Sequence, residues 1–514
     1  MNKLQLRLLL AMLSLSATQM QAVRHTNKTQ VSFRPQGVNQ PMDQTLYHRL
    51  KRAHGKNSLH GKIQGSAFYQ ASQKSADLAR LLLYNKANSV TLFRNNPGAP
   101  LPAGFSGTGN LDLGYVFHSQ GAGAAVGAVP TLAEQGANFA LKLSPERKSY
   151  GLHLGYEHSL WRLVKGLRFK VSAPVVSVEH RLNKIVTSLD QGTATSVSQY
   201  FAGQYQVNAA PNTNNQDFLK KALLVDQREV GVADVNVELN YKFARSSWFE
   251  AQVGLGATLP TGNRPDGTYA FQPVVGNNHH FGFGGQGHAK MDVLTHEEHE
   301  LDLIASANYR YLIQSREMRT LGIKGRNFGQ YHLLRKVGDD ASAMLRPAAN
   351  ELTLPVDVTP GHQFDLCANL AYSWRKISFD LGYNFFFRGK ENLRLRNAFI
   401  DNQYAIVSRD YDTTNAAFAA ANGPLNQATH GALIDGGWAA GAPAPAGVVN
   451  NANLDLRAAS DEDNMSHAIF ASLGLVMNEE ATPVIAGIGG SYEIASSNNA
   501  LEQWSVWAKA GISF

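Results

Sequence analysis

A single cysteine, Cys367, occurs in 514 residues, which excludes an intramolecular disulfide framework and any cysteine-based zinc site. An isolated thiol of this kind is ordinarily small apolar filler. Charge is scarce too. Asp, Glu, Lys and Arg make up 17% of the chain against about 25% in an ordinary soluble domain. The net charge of +7 is too small a surplus over this length to argue for nucleic acid. Mean hydropathy is −0.25, and only the N-terminus approaches the roughly 20 consecutive apolar residues of a membrane helix. No GxSxG or comparable nucleophile motif occurs. The run HEEHE at 296–300 is one residue short of the HExxH spacing and reads as a tight turn rather than a helix, so neither a metal nor a cofactor is expected.

What the chain does have begins with a leader. Lys3 and Arg7 precede the apolar run 8–15 and a polar stretch ending at Ala22, the pattern of a secretory signal peptide over 1–22. Residues 23–57 are basic with little apolar periodicity and read as a periplasmic extension or an inward plug. Residues 58–514 are dominated by period-two alternation. In 377–388, Ile377, Phe379, Leu381, Tyr383, Phe385 and Phe387 face one way, while Ser378, Asp380, Gly382, Asn384 and Arg388 face the other. Fourteen such segments can be read, near 59–71, 108–118, 136–144, 149–158, 166–180, 228–243, 247–260, 279–293, 299–313, 361–375, 376–389, 465–477, 482–495 and 502–514. Most match the roughly 9–11 residues with which a tilted strand crosses a bilayer.

The connections alternate between short and long, as periplasmic turns and extracellular loops do in bacterial outer-membrane barrels. The long ones lie near 181–227, 260–279, 314–360 and 389–465. Trp161, Trp248 and Trp374 stand beside short turns, where a periplasmic aromatic girdle belongs. The last segment alternates from Trp504 to a terminal Phe514 and is similar to the signal that outer-membrane barrels present to their assembly machinery. The expected fold is all-β: a transmembrane antiparallel up-and-down barrel of about fourteen strands, with twelve to sixteen allowed and long extracellular loops.

With the apolar faces toward lipid, Lys290, Asp302, Arg310, Asp365, Arg375, Asp380 and Arg388 become candidate pore-lining residues. The wider inward set is balanced in sign, which favours ion pairing over strong charge selectivity. Arg at outward Leu381 should cost more than Arg at inward Asn384. The helical spacing of Ser75 to Asn88 fits a short helix in an outer loop or folded into the lumen, where it is the best candidate for an obstruction, and 422–453 has the composition of a surface loop.

The stretch REVGVADVNVELNYKF, then FEAQVGLGATLPTGNRP and HHFGFGGQGHAKMDVL, resembles outer-membrane proteins of the meta-cleavage phenol-degradation pathway and, more loosely, the long-chain fatty-acid transporter barrels. Gly231 and Asp234 opening a strand, the Leu259-Pro260-Thr261-Gly262 strand end and the Gly-rich strand after it carry the likeness. It implies a transport-type barrel handling small or hydrophobic solutes. Together these readings predict a monomeric channel or transporter in the bacterial outer membrane. Its partners would be membrane lipids, the barrel assembly machinery and a small-molecule solute, with no nucleic acid. The alternatives are a structural or adhesive surface barrel and, less favoured, an outer-membrane enzyme.

Overall fold

A computed structural model of the chain describes residues 27–50, 61–83, 88–93, 110–112, 138–188, 194–204, 217–326, 328–337, 345–406, 447–477, 482–497 and 500–514. The leader, the link 51–60 and most of 422–453 lie outside the described residues. Twelve strands form a closed antiparallel barrel: β1 Gly61–Ser72, β2 Glu146–Ser159, β3 Leu167–Arg181, β4 Val235–Arg245, β5 Phe249–Leu259, β6 Gly282–His296, β7 His299–Leu312, β8 Gln363–Trp374, β9 Ile377–Arg388, β10 Asn464–Met477, β11 Val484–Ala495 and β12 Gln503–Ser513. Closure is direct, because β1 pairs with β2 on one side and β12 on the other. Each of these twelve strands is therefore paired on both sides, as backbone in lipid requires.

Among the described residues, which include only 110–112 of the expected strand 108–118, two of the fourteen expected strands are not in the wall. Residues Asn110–Asp112 and Asn138–Lys142 are too short to span a bilayer, and they join Ser89–Phe93 and Ile185–Ser188 in a separate four-stranded sheet above the barrel. Because the loss is of two, every other strand keeps its direction. The turns at 246–248, 297–298 and 375–376 therefore share one end, and the long loops share the other. The HEEHE run makes one of these turns: His296 pairs with His299 across it and Glu297 takes φ 53°. His299 stacks on Tyr372 and Trp374.

The wall has one interruption. The outer half of β3 pairs with Gln227–Val232 and the inner half with β4, with Ala233 and Asp234 between. Pro174 lies on β3 opposite the break, where it can donate no ladder hydrogen bond. The gap is filled by the loop 260–281, whose Asn277 donates to Asp234 through its backbone and its side chain, both at 2.7 Å.

Outward positions are exposed and apolar, as at Leu255, Leu381, Ile469 and Ile488. Leu381 is 48% exposed and its strand neighbour Asp380 is 0% exposed. Leu381→Arg is expected to lower barrel stability by about 2–4 kcal/mol, read as a lower unfolding midpoint in folded, lipid-reconstituted protein; an unchanged midpoint would mean that the faces are reversed. Asn384 corrects the expected contrast. Its side chain is fully buried and donates to Asp365 and to the Leu366 carbonyl, so Arg there meets a filled interior, not an open pore.

The loops form a cap with cores of its own. The helix Ser75–Leu82, whose spacing fits an outer loop or the lumen, lies in the loops and not in the lumen: it buries Leu78, Leu81 and Leu82 against Leu141, Phe201 and Tyr331. A second core gathers Leu321, Leu352, Val356, Ile406 and Val449. An apolar helical stripe is buried wherever apolar partners lie, and here they lie in the cap.

Candidate functional site: a lumen filled by the N-terminal segment

Inward side chains of a water-filled barrel would be wet. Here Asp302, Asp365, Asn369, Asp380, Asn384 and Lys509 are all buried, because residues 27–50 thread the lumen from the cap to the periplasmic end. At the cap, the Lys28 ammonium donates to the carbonyls of Arg457 and Ser460 at 2.7 and 2.8 Å. Burial lowers its pKa from the ordinary lysine value, against the opposing pull of Glu462 and Asp461. Just below, the Ser32 amide donates to both carboxylate oxygens of Asp461, at 3.0 and 3.1 Å, and its carbonyl accepts from Arg388 at 2.7 Å. The Arg34 guanidinium lies between Asp365 at 3.2 Å and Glu493 at 3.5 Å, over the Phe386 ring.

At mid-lumen the segment makes one short helix, Gln40–Gln44, with Asn39 capping the Met42 amide at 3.3 Å and Pro41 in the first turn. A helix this short leaves most of its carbonyls unpaired. Lys509 of β12 supplies three donors, to Met42, Asp43 and Thr45 at 2.9, 2.7 and 2.8 Å. The Asp43 carboxylate lies 2.8 Å from His153 of β2. Leu46 has φ 59° and its amide donates to Asp380 at 3.1 Å. Its side chain seats on Gly474 and Gly487, paired across β10 and β11, where a Cβ on either would approach Leu46 Cδ1 to 2.4 Å. Tyr47 donates to Glu157, and Arg49 to the Arg375 carbonyl at 2.7 Å, at the periplasmic rim.

The expected pore-lining residues therefore divide. Asp365, Asp380 and Arg388 hold the N-terminal segment instead of lining a free passage. Lys290 bridges Asp292 and Asp302 at 2.8 Å each, tying β6 to β7. Arg375 does not face the lumen. It lies in the periplasmic turn with φ 50°, its side chain exposed and paired with Glu298. A strand-period reading carried one residue too far placed it inward. Arg310 remains beside open space: a cavity of about 80 Å³ between the segment and the β3–β7 wall, bordered by Gln252, Gln286, His288 and Asn308. That lining is amide-rich and polar. Sequence reasoning missed the partners within 27–50. The one signal there was a basic, aperiodic stretch beside a barrel whose inward carboxylates had no assigned partner.

Trp161, Trp248 and Trp374 are 37%, 58% and 40% exposed at the periplasmic end, and aromatic pairs at the cap end, Tyr309 with Phe364 and Tyr69 with Trp504, lie on outward positions. The two bands bracket the apolar wall as interfacial girdles do. Phe514 meets Gly61 through two backbone hydrogen bonds, at 2.8 and 2.9 Å, and its ring lies over that glycine. Deleting Phe514 removes both bonds from the closing seam, and the fraction of heat-modifiable, folded barrel recovered from membranes is expected to fall severalfold while export continues. Equal recovery would show the seam closes without it.

No family model matches the chain and no curated protein matches it. Among solved structures, an outer-membrane channel from Pseudomonas putida F1 is similar at 9% identity and TM-score 0.34, over 88% of this chain and 96% of the other. A Pseudomonas aeruginosa FadL homologue is similar at 8% identity and TM-score 0.24, over 88% of each chain. The monoaromatic hydrocarbon channel CymD is similar at 7% identity and TM-score 0.25, over 93% and 92%. Likenesses this distant carry no argument about solute or mechanism. The chain's own geometry does carry one: closure, the apolar belt and its aromatic rims make it a transmembrane β-barrel of the bacterial outer-membrane kind, with a lumen occupied by its own N-terminal segment.

Proposed function

We propose that the protein is an outer-membrane channel held closed by residues 27–50, passing small solutes when that segment shifts. The observation that carries this reading is the chemistry of the packing. A barrel of about eight strands can be filled by its own wall side chains, whereas twelve strands enclose space that something else must occupy. This one is filled by a separate strap, held along much of its length by polar and charged contacts that water can replace, and by apolar seats at Met42, Leu46 and Leu50. The residual space beside it is polar, bordered by Gln252, Gln286, Asn308 and Arg310, which supports small hydrophilic solutes on the lumen route as well as the hydrophobic ones the sequence resemblance implies.

The test is conductance in a planar bilayer. Full-length protein is expected to show rare, small openings with weak preference by sign. Of the three arginines read as lumen charges, only Arg310 borders the cavity, so Arg310→Gln alone should shift ion preference toward cations, and neutralising Arg375 should not. If neither the full chain nor a strap-deleted barrel conducts or passes solute, the channel reading fails. The second reading, a structural or adhesive surface barrel, is favoured by the cap with its two apolar cores. It predicts a silent barrel whose phenotype follows the cap.

A further inference from the structure

The turn joining β2 to β3 differs from the other described periplasmic turns. Those at 246–248, 297–298 and 375–376 are two or three residues of Ser, Trp, Glu, Arg and Lys. This one runs Leu160-Trp161-Arg162-Leu163-Val164-Lys165-Gly166, and all five residues 161–165 are exposed. At its apex Leu163 is 77% exposed and Val164 49%. It is no loose end. Leu160 and Leu167 close it with hydrogen bonds, Val164 donates back to Leu160 at 3.1 Å, and the Gly166 carbonyl accepts from Lys242 of β4 at 3.0 Å. Gly166 has φ +91°, and a Cβ there would lie 2.7 Å from the Lys242 carbonyl oxygen, so the apex is presented by a fixed backbone.

Two aliphatic side chains held rigidly in water are unfavourable, and their surroundings indicate what covers them. The patch adjoins the lipid-facing wall through Trp161, and through Phe243 at the end of the neighbouring β4 and Trp248 on the β4–β5 connection, both 58% exposed. The turn contains no acidic residue. On the neighbouring strands, Glu250 is engaged by Lys242 at 2.7 Å and approached by Arg245 at 3.8 Å, and Glu157 is engaged by Arg168 at 2.9 Å. Aromatic, aliphatic and cationic side chains at one edge of an apolar belt match a phospholipid interface, with rings at head-group level, aliphatic tips among chains and cations on phosphate.

We propose that this turn is a lipid anchor for the periplasmic leaflet: Leu163 and Val164 insert beneath the head groups, and Arg162 and Lys165 bind the phosphate of an anionic phospholipid. It fixes the barrel's depth and tilt on the β2–β5 side. That side carries the interrupted wall, where an anchor limits rocking.

The experiment uses full-length folded protein. Native mass spectrometry from detergent with equal dioleoylphosphatidylglycerol and dioleoylphosphatidylcholine should show retention of the anionic lipid favoured about tenfold. Arg162→Gln with Lys165→Gln should bring that preference close to parity while heat-modifiability is unchanged. In parallel, Leu163→Cys carrying an environment-sensitive fluorophore, with Cys367 shielded by burial, should emit blue-shifted in phosphatidylglycerol vesicles. A preference unchanged in the double variant overturns the phosphate assignment. A label at 163 that reports water in vesicles overturns the anchor and leaves the apex to a periplasmic protein.

Discussion

Deleting residues 27–50 opens the barrel: mean conductance in a planar bilayer rises by about tenfold or more over the full chain, because twelve strands with no central strap enclose a continuous aqueous space. The wall residues released are polar and charged. Asp365, Asp380, Arg388, Glu493 and Lys509 lose the partners that now bury them. In a dry core each would be a large penalty. In the deleted barrel water enters and solvates them, so the wall survives, and its ladders do not pass through the segment. The cap loses Val31 and Phe33 from its core, and its loops become more open to protease. Heat-modifiability separates an open barrel from an unfolded one. A folded deletion protein that conducts no better than the full chain would show that the cap closes the path, and residues 27–50 would then be structural filling.

Substituting Lys509 with Met is expected to loosen the same segment without removing it. One ammonium satisfies three carbonyls at the end of the strap's short helix, at Met42, Asp43 and Thr45. Each buried carbonyl left without a donor costs about 1–3 kcal/mol, partly recovered as water follows. The net loss of strap anchoring is about 3–5 kcal/mol, comparable to removing one partner of a buried ion pair. The single-channel record should change from quiet to flickering, and Arg34 and Arg49 should become accessible to trypsin in the folded barrel. Lys509→Arg keeps the charge but spreads its donors in a plane, and should restore closure in part. A Met variant that is quiet and as trypsin-resistant as the original would show that the strap is held mainly at its ends, by Asp461 and Arg388 above and the Leu46 seat below.

The alternation of Phe379, Leu381 and Tyr383 against Asp380 and Asn384 was enough to assign faces, since a period of two on a surface between lipid and polar interior admits only one orientation. Loop lengths gave the direction of every strand that crosses. They did not separate a crossing strand from a short strand in a loop sheet. At 108–118 and 136–144 local alternation is the same in both, and only pairing partners distinguish them.

The sequence by itself determined an antiparallel barrel with an apolar exterior and aromatic rims, because these follow from local periodicity and the physics of unsatisfied backbone in lipid. Only the tertiary structure decided what fills the lumen. The contacts that matter join residues hundreds of positions apart, such as Lys28 with Ser460 and Lys509 with Met42. No local pattern in 27–50 marks its partners: the segment is aperiodic because it is bound on several sides by different strands. An inward carboxylate such as Asp380 reads the same in sequence whether it meets water, a neighbour in the wall or the backbone of Leu46. Which of these it meets depends on the route of a chain segment through closed space.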